Sequence, residues 1–284
     1  MSPPPDFRAG FTLALGGGGG RGWAHLGVAR ALETYGLQPT RIVGTSMGAI
    51  IGAALAVGRS PDEIEEGGRR LSLYRNVRRG WLSLLDPRPV LDRLAADLGD
   101  PRIEDLPIPL GVSTFDLVTG RPRLITTGRL VDALEKSIAV PLFFPPRPDA
   151  DGIWCDAGPW EGVPVSLARA WAPDDPVIGV VVVGTKPAFL TYGRSAAFLR
   201  ATSSRLGTAT PEQRLTIRRY LGLLAARWTD PVVVEAPDLM IEPRLGKANA
   251  LQFGHIAELA AIGERDASLA LAGIGLKEAT DHAA

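Results

Sequence analysis

The sequence is poor in the residues that usually hold metals or form disulfides. It contains one cysteine, Cys155, and three histidines, His25, His255 and His282, in 284 residues. A single cysteine excludes an intramolecular disulfide framework and a cysteine-based metal site. The three histidines are too scattered in the sequence to indicate a metal centre, so we expect neither disulfide nor metal.

Excess charge and long apolar runs are also lacking. Basic and acidic residues balance at 31 each, which argues against nucleic acid as the main partner, because a phosphate backbone calls for a net basic surface. The longest apolar runs reach about half of the roughly 20 residues that a membrane-spanning helix needs. The first six residues do not form a secretory signal. We therefore expect a soluble, cytoplasmic protein, with peripheral contact at the inner membrane surface left open.

Apolar segments typical of buried strands alternate with helical patterns, in a chain with 45% hydrophobic residues and ample core. The predicted strands cover residues 12–15, 42–43, 110–115, 121–127, 153–155 and 177–183. Predicted helices cover residues 23–35, 49–57, 130–139, 164–171 and 250–272, and a further helix starts at Ser60 with Glu63 completing a capping box.

This alternation predicts an α/β fold with three layers, in which helices cover both faces of a mainly parallel sheet that the hairpin makes mixed. No linker and no internal repeat divide the chain. We expect one domain over residues 11–275, with flexible ends at residues 1–10 and 276–284.

The first chemical motif is a serine turn. Ser46 lies at the centre of Gly44-Thr45-Ser46-Met47-Gly48, between a predicted strand and a predicted helix. This strand–turn–helix context is typical of a nucleophile elbow, in which a strained turn exposes a serine hydroxyl and the helix dipole favours negative charge. The pattern predicts that Ser46 is a nucleophile.

The second motif is a glycine loop after the first strand. Gly17, Gly18, Gly19 and Gly20 continue a run from Gly16 and are followed by Arg21 and Gly22. A dinucleotide fingerprint would need an acidic residue after the second strand, and a P-loop would need lysine where Arg21 stands; both are absent. Several backbone N–H groups that converge on one point suit a tetrahedral oxyanion, and one such donor contributes about 3 kcal/mol to transition-state stabilisation.

A nucleophilic serine also needs a proton acceptor. The order Ser46, Asp156, His255 fits a conventional triad, but His255 lies in a helical pattern and only one strand precedes the elbow strand. Asp156 follows a short apolar strand and is followed by Ala157 and Gly158, so it can reach the elbow across the carboxyl edge of the sheet. We favour Asp156 as the base and keep the triad as an alternative.

Taken together, the three motifs resemble those of the patatin-like phospholipase family, in particular its short bacterial single-domain members. They are the glycine loop with Arg21, the Ser46 turn, and Asp156-Ala157-Gly158. The resemblance covers residues 11–183 well and the C-terminal helix loosely.

The resemblance implies a patatin-like fold and hydrolysis of fatty-acyl esters of lipids by a Ser46–Asp156 dyad without histidine. It further implies an oxyanion hole formed by the glycine loop and no cofactor. Two departures from the family pattern, Ala157 and Glu161, keep a second alternative open, namely a binding or regulatory member of low activity.

Two basic stretches mix arginines with apolar residues, at residues 69–85 and 186–229. Such stretches suit an anionic lipid surface. Ordinary helices with a solvated charged face are nevertheless the interpretation that we favour. Charge reversal at Arg78, Arg79, Arg218 and Arg219 would separate the two interpretations.

Overall fold

The structure is a computed structural model that describes residues 5–70, 86–140, 144–183, 211–229, 235–248, 250 and 253–279. Most of the basic stretch at residues 69–85, with Arg78 and Arg79, lies outside the described residues. So does the first part of the stretch at residues 186–229.

The centre of the fold is an eight-stranded sheet. Its strands are β1 (Thr12–Leu15), β2 (Arg41–Thr45), β3 (Leu110–Asp116), β4 (Arg121–Ile125), β5 (Arg147–Pro148), β6 (Ile153–Cys155), β7 (Val177–Val180) and β8 (Leu239–Ile241). The strand order is β5-β6-β3-β2-β1-β7-β8, and β4 pairs with β3 in addition. The run from β3 to β8 is parallel, whereas β4, β5 and β6 pair antiparallel. The expected mainly parallel, mixed sheet is confirmed.

Eight α-helices surround this sheet in the described part of the chain. They are α1 (Ala24–Thr34), α2 (Met47–Ala56), α3 (Pro61–Arg70), α4 (Arg88–Leu98), α5 (Leu130–Ser137), α6 (Val165–Trp171), α7 (Pro211–Thr229) and α8 (Ile256–Gly273), and a 3-10 helix, Gly19–Trp23, precedes α1. None of these described helices is long and apolar enough to cross a membrane.

Side-chain alternation along the strands divides the core into two layers. Leu13 and Leu15 of β1 face the larger core, which α1, α2 and α8 cover. Ala14, between them, faces a smaller core that α6 completes with Val165 and Ala168. Because strand side chains alternate between faces, a strand that is apolar at every position is buried from both sides. The three-layer arrangement with helices on both faces is therefore confirmed.

Several boundaries differ from those expected. The strand predicted to reach residue 183 ends at Val180, and the last helix begins at Ile256 rather than near residue 250, with His255 as its N-cap. The sequence interpretation did not include α4 or the three-residue strand β8. β8 forms because it pairs with β7, a tertiary contact that a short apolar segment does not reveal by itself.

Candidate active site

Ser46 lies in a strained turn between β2 and α2. Its φ of 54° and ψ of −120° place it outside the regions that side chains normally allow, and Asp100 is the only other non-glycine residue with positive φ among those described. Such a conformation costs about 1–3 kcal/mol and persists only where its surroundings enforce it. This is the geometry expected of a nucleophile elbow.

The contacts that enforce the turn come from both sides of it. Ser46 N–H donates to Ser137 Oγ at 2.9 Å, and the Ser137 hydroxyl in turn donates to Ser113 O at 2.7 Å. A Cβ added at Gly48 would lie 2.3 Å from Leu15 O, so only glycine allows α2 to start this close to the end of β1. Gly44 is packed equally tightly, against Ala49.

Ser137 is a supporting residue that the sequence interpretation missed. It is fully buried at the end of α5 and connects this helix to both the elbow and β3. A serine among the apolar positions of an amphipathic helix is the only local signal, and it does not reveal the partner.

The sheet places Asp156 next to the Ser46 turn, because the ends of β2 and β6 meet along β3. β2 and β6 share one edge of β3, because β4 occupies the other edge. β2 is parallel to β3 and ends with Thr45 opposite Ser113, whereas β6 is antiparallel and ends with Cys155 opposite Phe115. If each register is extended by one residue, Ser46 and Asp156 both arrive at the level of Thr114.

The Asp156 carboxyl is buried and interacts with the Ser46 side chain. Burial raises its pKa from 3.8 to about 6, and this rise is opposed by a hydrogen bond with the Ser46 side chain and by one from Gly158 N–H. The Gly158 bond to Oδ1 measures 2.6 Å. A carboxylate with a raised pKa that contacts a hydroxyl can accept its proton more readily than one in water.

The turn after Asp156 accommodates the departure from the family pattern. Ala157 has no positive φ, so alanine fits this position without backbone strain. At Gly158, by contrast, an added Cβ would lie 2.9 Å from Asp156 Oδ1. In this chain the glycine is therefore needed one position later than in the usual pattern.

Glu161, the second departure, stabilises the start of α6. Its buried carboxylate accepts Ser166 N–H at 2.6 Å. Burial raises the pKa of this carboxyl, and the hydrogen bonds with Ser166 oppose the rise. The glutamate therefore has a structural task in the loop between Asp156 and α6.

The glycine loop passes directly against the elbow. β1 and β2 are neighbouring parallel strands, so the loop after β1 and the turn after β2 meet at the same edge of the sheet. An added Cβ at Gly17 would lie 3.3 Å from the Cβ of Ser46. Gly22 lies against Met47, the residue after Ser46.

The backbone N–H groups of the loop are not equally available. Gly17 N–H donates to Gly162 O at 2.9 Å, and Gly20 N–H donates to Ala250 O at 2.8 Å. For Gly18 and Gly19 the part of the chain that the structure describes provides no acceptor. Two of the four predicted oxyanion donors are thus engaged within the protein.

Two side chains hold the loop from behind. Arg21 Nε donates to Ala248 O at 2.7 Å. His25 is buried and its Nε2 lies 2.8 Å from Gly16 O. Burial lowers the pKa of His25 to about 4, against the opposing effect of this hydrogen bond. The imidazole is therefore neutral near pH 7 and donates from Nε2.

His255 has a different partner from the one that a triad requires. Its Nδ1 lies 2.9 Å from the Glu258 carboxylate, and its side chain is 54% exposed at the start of α8. In a triad this nitrogen would bond to the buried acid. The structure brings Ser46, Asp156 and the glycine loop together and leaves His255 in a local pair. Within the described residues no cluster of His, Cys, Asp and Glu could hold a metal ion.

Comparison with known proteins identifies the family. The family model for patatin-like phospholipase matches residues 13–169, which is more than half of the chain. The protein therefore belongs to the patatin-like phospholipase family. The match contains the glycine loop, the Ser46 turn and Asp156, and it ends within α6.

Curated relatives carry names from the same family. The chain is 36% identical over 166 residues to an uncharacterized NTE family protein of Mycobacterium tuberculosis, which covers 55% of this chain and 44% of that protein. It is 30% identical over 176 residues to patatin-like phospholipase domain-containing protein 6 of Homo sapiens, covering 56% of this chain and 12% of the relative. It is 29% identical over 168 residues to lysophospholipase NTE1 of Mycosarcoma maydis, and this match covers 56% of this chain and 9% of that relative. The chain thus spans less than half of the length of these relatives.

Two solved structures are similar over most of the chain. VipD from Legionella pneumophila has a TM-score of 0.49 at 14% identity and covers 93% of this chain and 66% of its own. The type III effector ExoU has a TM-score of 0.45 at 17% identity, and the match covers 98% of this chain and 55% of the ExoU chain.

Proposed function

We propose that the protein is a serine acyl hydrolase that cleaves fatty-acyl esters of lipids, such as phospholipids, lysophospholipids or acylglycerols. The observation that carries this proposal is the placement of Ser46, in its strained turn, beside the buried Asp156, whose carboxyl interacts with the Ser46 side chain. Membership of the patatin-like phospholipase family supports the lipid ester as substrate, and one relative carries the name lysophospholipase.

The first half of the proposed reaction acylates the serine. The Ser46 hydroxyl transfers its proton to Asp156 while its oxygen attacks the ester carbonyl carbon. The resulting oxyanion accepts hydrogen bonds from Gly18 and Gly19, the two loop N–H groups without an acceptor among the described residues. When the tetrahedral intermediate collapses, the alcohol leaves with the proton from Asp156.

The second half releases the fatty acid. Asp156 takes a proton from water, and the hydroxide oxygen attacks the acyl carbonyl carbon. The ester bond to Ser46 then breaks, the serine oxygen regains the proton, and the fatty acid leaves. Both halves need one base with a pKa near the working pH, and burial brings Asp156 toward that range.

A fluorophosphonate probe tests the nucleophile directly. We expect the wild-type protein to be labelled at Ser46, the S46A variant to remain unlabelled, and D156N to lose about 10²–10⁴-fold in hydrolysis rate. Peptide mapping by mass spectrometry locates the label, and a fatty-acyl ester assay gives the rate. An intact but unlabelled wild-type protein would instead favour a binding member of low activity.

His255 provides the test between dyad and triad. Because its ring pairs with Glu258, we expect H255A to hydrolyse esters at close to the wild-type rate. A triad would lose several orders of magnitude on the same substitution, and that result would replace Asp156 by His255 as the base.

A further inference from the structure

The main chains of Ser46 and Asp156 are both bonded to the end of helix α5. Ser46 N–H donates to the hydroxyl of Ser137, the last residue of α5, at 2.9 Å. Asp156 N–H donates to Ala139 O, two residues further along the chain, at 3.1 Å. One short stretch, residues 137–139, therefore contacts both members of the proposed dyad, although the two are far apart in the sequence.

Strand β3 is bonded to the same two positions. The Ser137 hydroxyl, which accepts Ser46 N–H, also donates to Ser113 O at 2.7 Å. The hydroxyl of Thr114, the next residue of β3, donates to Cys155 O at 2.9 Å. This carbonyl belongs to the peptide unit that joins Cys155 to the proposed base. Both polar groups of that unit are therefore bonded, the carbonyl to β3 and the N–H to the end of α5.

The two hydroxyls have no easy replacement, because Thr114 and Ser137 are fully buried. If either hydroxyl were removed, the backbone group that it serves would lose its partner inside the protein. Ser46 in addition has the strained φ of 54°, which persists only where its surroundings enforce it. Loss of the Ser137 acceptor should therefore let the Ser46 turn relax, and loss of the Thr114 donor should let the loop at Asp156 move.

We propose that Thr114 and Ser137 are positioning residues that set the contact between the Ser46 hydroxyl and the Asp156 carboxyl. Each acts through the main chain, Ser137 at the serine and Thr114 at the carboxyl. The inference rests on the proposed function, because it concerns the transfer of the serine proton to Asp156.

The consequence of misplacement can be stated for each kinetic constant. Proton transfer needs a donor and an acceptor about 2.6–3.2 Å apart, and a displacement of about 1 Å can cost 10²-fold in rate. Such a displacement changes the reacting groups and leaves the surfaces that bind the substrate as they are. The loss should therefore appear in kcat and spare KM. A purely structural role would instead change stability and leave kcat as it is.

Deletion of each hydroxyl with little change in volume tests the proposal. We expect T114V and S137A to lower kcat for a short-chain fatty-acyl ester by about 10–100-fold, with KM within about threefold of the wild type. Fluorophosphonate labelling at Ser46 should slow by a similar factor. T114S keeps the hydroxyl and should recover most of the rate. The double variant T114V/S137A should lose little more than the slower single variant, because both hydroxyls maintain one contact.

The matched control is T12V. Thr12 is also a fully buried threonine of a central strand, and its hydroxyl donates to Asp175 at 3.2 Å. It lies at the start of β1, whereas the glycine loop and the Ser46 turn follow the ends of β1 and β2. We expect T12V to lose stability in urea unfolding, as T114V does, and to keep the wild-type kcat. Circular dichroism shows that each variant is folded.

Failure of the positioning can be told apart from failure of the proposed function. A wild-type protein that is neither labelled nor active would contradict the proposed function. Crystal structures still test the positioning in that case, since the distance from Ser46 Oγ to the Asp156 carboxyl should grow by about 1 Å in T114V and S137A. Folded T114V and S137A proteins with the wild-type kcat, or with an unchanged distance, would overturn the proposal. So would an equal loss of kcat in T12V, or a double variant whose loss is the product of the single losses.

Discussion

At the scale of single residues, the central feature is that the buried environment of Asp156 disfavours the charged form of its carboxyl. The carboxyl is buried, and among the described residues only the Ser46 side chain and Gly158 N–H compensate for its lost hydration. Its pKa rises to about 6 as a result. A buried carboxylate of this kind is costly for folding and useful for proton transfer, which is a combination typical of functional sites.

The raised pKa predicts how activity depends on pH. Asp156 must be ionised to accept the serine proton, so kcat/KM should rise with pH up to about 6 and then level off. Below that value the rate should fall by about tenfold per pH unit. The pH profile of kcat/KM for a short-chain ester measures this dependence. A profile that shows no change of slope between about pH 5 and 7 would contradict Asp156 as the base.

The same shift has a signature in stability. Since the folded state binds the Asp156 proton more tightly than the unfolded state, this residue stabilises the fold below its ordinary pKa of 3.8, and the contribution is lost as pH rises through about 6. D156N should therefore raise the free energy of unfolding by about 1–3 kcal/mol at neutral or higher pH and leave it unchanged in acid. Urea unfolding at two pH values, with the exposed Asp174 changed to Asn as control, tests this.

Which parts of the site a sequence can predict depends on how local the signal is. Ser46 and Asp156 were predicted from strand ends and turns, and the structure brings the two side chains into contact, while their catalytic roles stay a prediction. The occupied N–H groups of Gly17 and Gly20 could not be foreseen. Their acceptors, Gly162 and Ala250, are far away in the sequence and come close only through the fold.

At the scale of elements, the same distinction holds. The capping box at the start of α3 is confirmed, since Ser60 N–H donates to Glu63 and Glu63 N–H donates back to Ser60 Oγ. All its atoms lie within one helical turn, so the sequence determines it. The strand β8 depends instead on a partner strand, which explains why its pattern carries too little signal.

The junction between β1 and α2 gives a prediction at this scale. In G48A the new methyl carbon would lie 2.3 Å from Leu15 O and 2.7 Å from Gly16 O, both backbone atoms that cannot rotate away. We expect α2 to move away from β1 and to carry Ser46 out of register with the glycine loop. A misplacement of about 1 Å can cost 10²-fold in rate.

Ester hydrolysis and fluorophosphonate labelling measure this effect, and circular dichroism shows whether the fold persists. The matched control is G67A in α3, where an added Cβ meets nothing within 4 Å. That variant should keep full activity and gain roughly 0.5–1 kcal/mol in stability. A G48A protein with normal turnover would mean that the close approach of α2 to β1 is not required for the elbow.

At the scale of the whole molecule, α8 completes the core behind the candidate active site. The family match ends at residue 169, yet α8 packs closely against α1, the helix that follows the glycine loop. A Cβ added at Gly263 of α8 would lie 2.1 Å from Ala24 O, and one at Gly27 of α1 would lie 1.8 Å from Ala260 O. Reciprocal glycines of this kind let two helix backbones touch, so residues far beyond the matched segment support the loop.

The close packing of α8 against α1 predicts that the chain unfolds as one unit. In G263A the methyl group would meet backbone atoms, and overpacking of this kind should lower the free energy of unfolding by about 3 kcal/mol. The control on the same helix is G273A, where nothing lies within 4 Å of the added Cβ, and it should be neutral or slightly stabilising.

Urea unfolding followed by circular dichroism, tryptophan fluorescence and loss of esterase activity tests the cooperativity of the molecule. If residues 11–275 form a single domain, the three signals should share one midpoint in the wild type and shift together in G263A. A G263A protein that loses helix signal early but keeps its activity to the wild-type midpoint would show that α8 folds apart from the site. The expected common shift follows from α8 lying against α1, because α1 can hold His25 and the glycine loop in place only while α8 covers it.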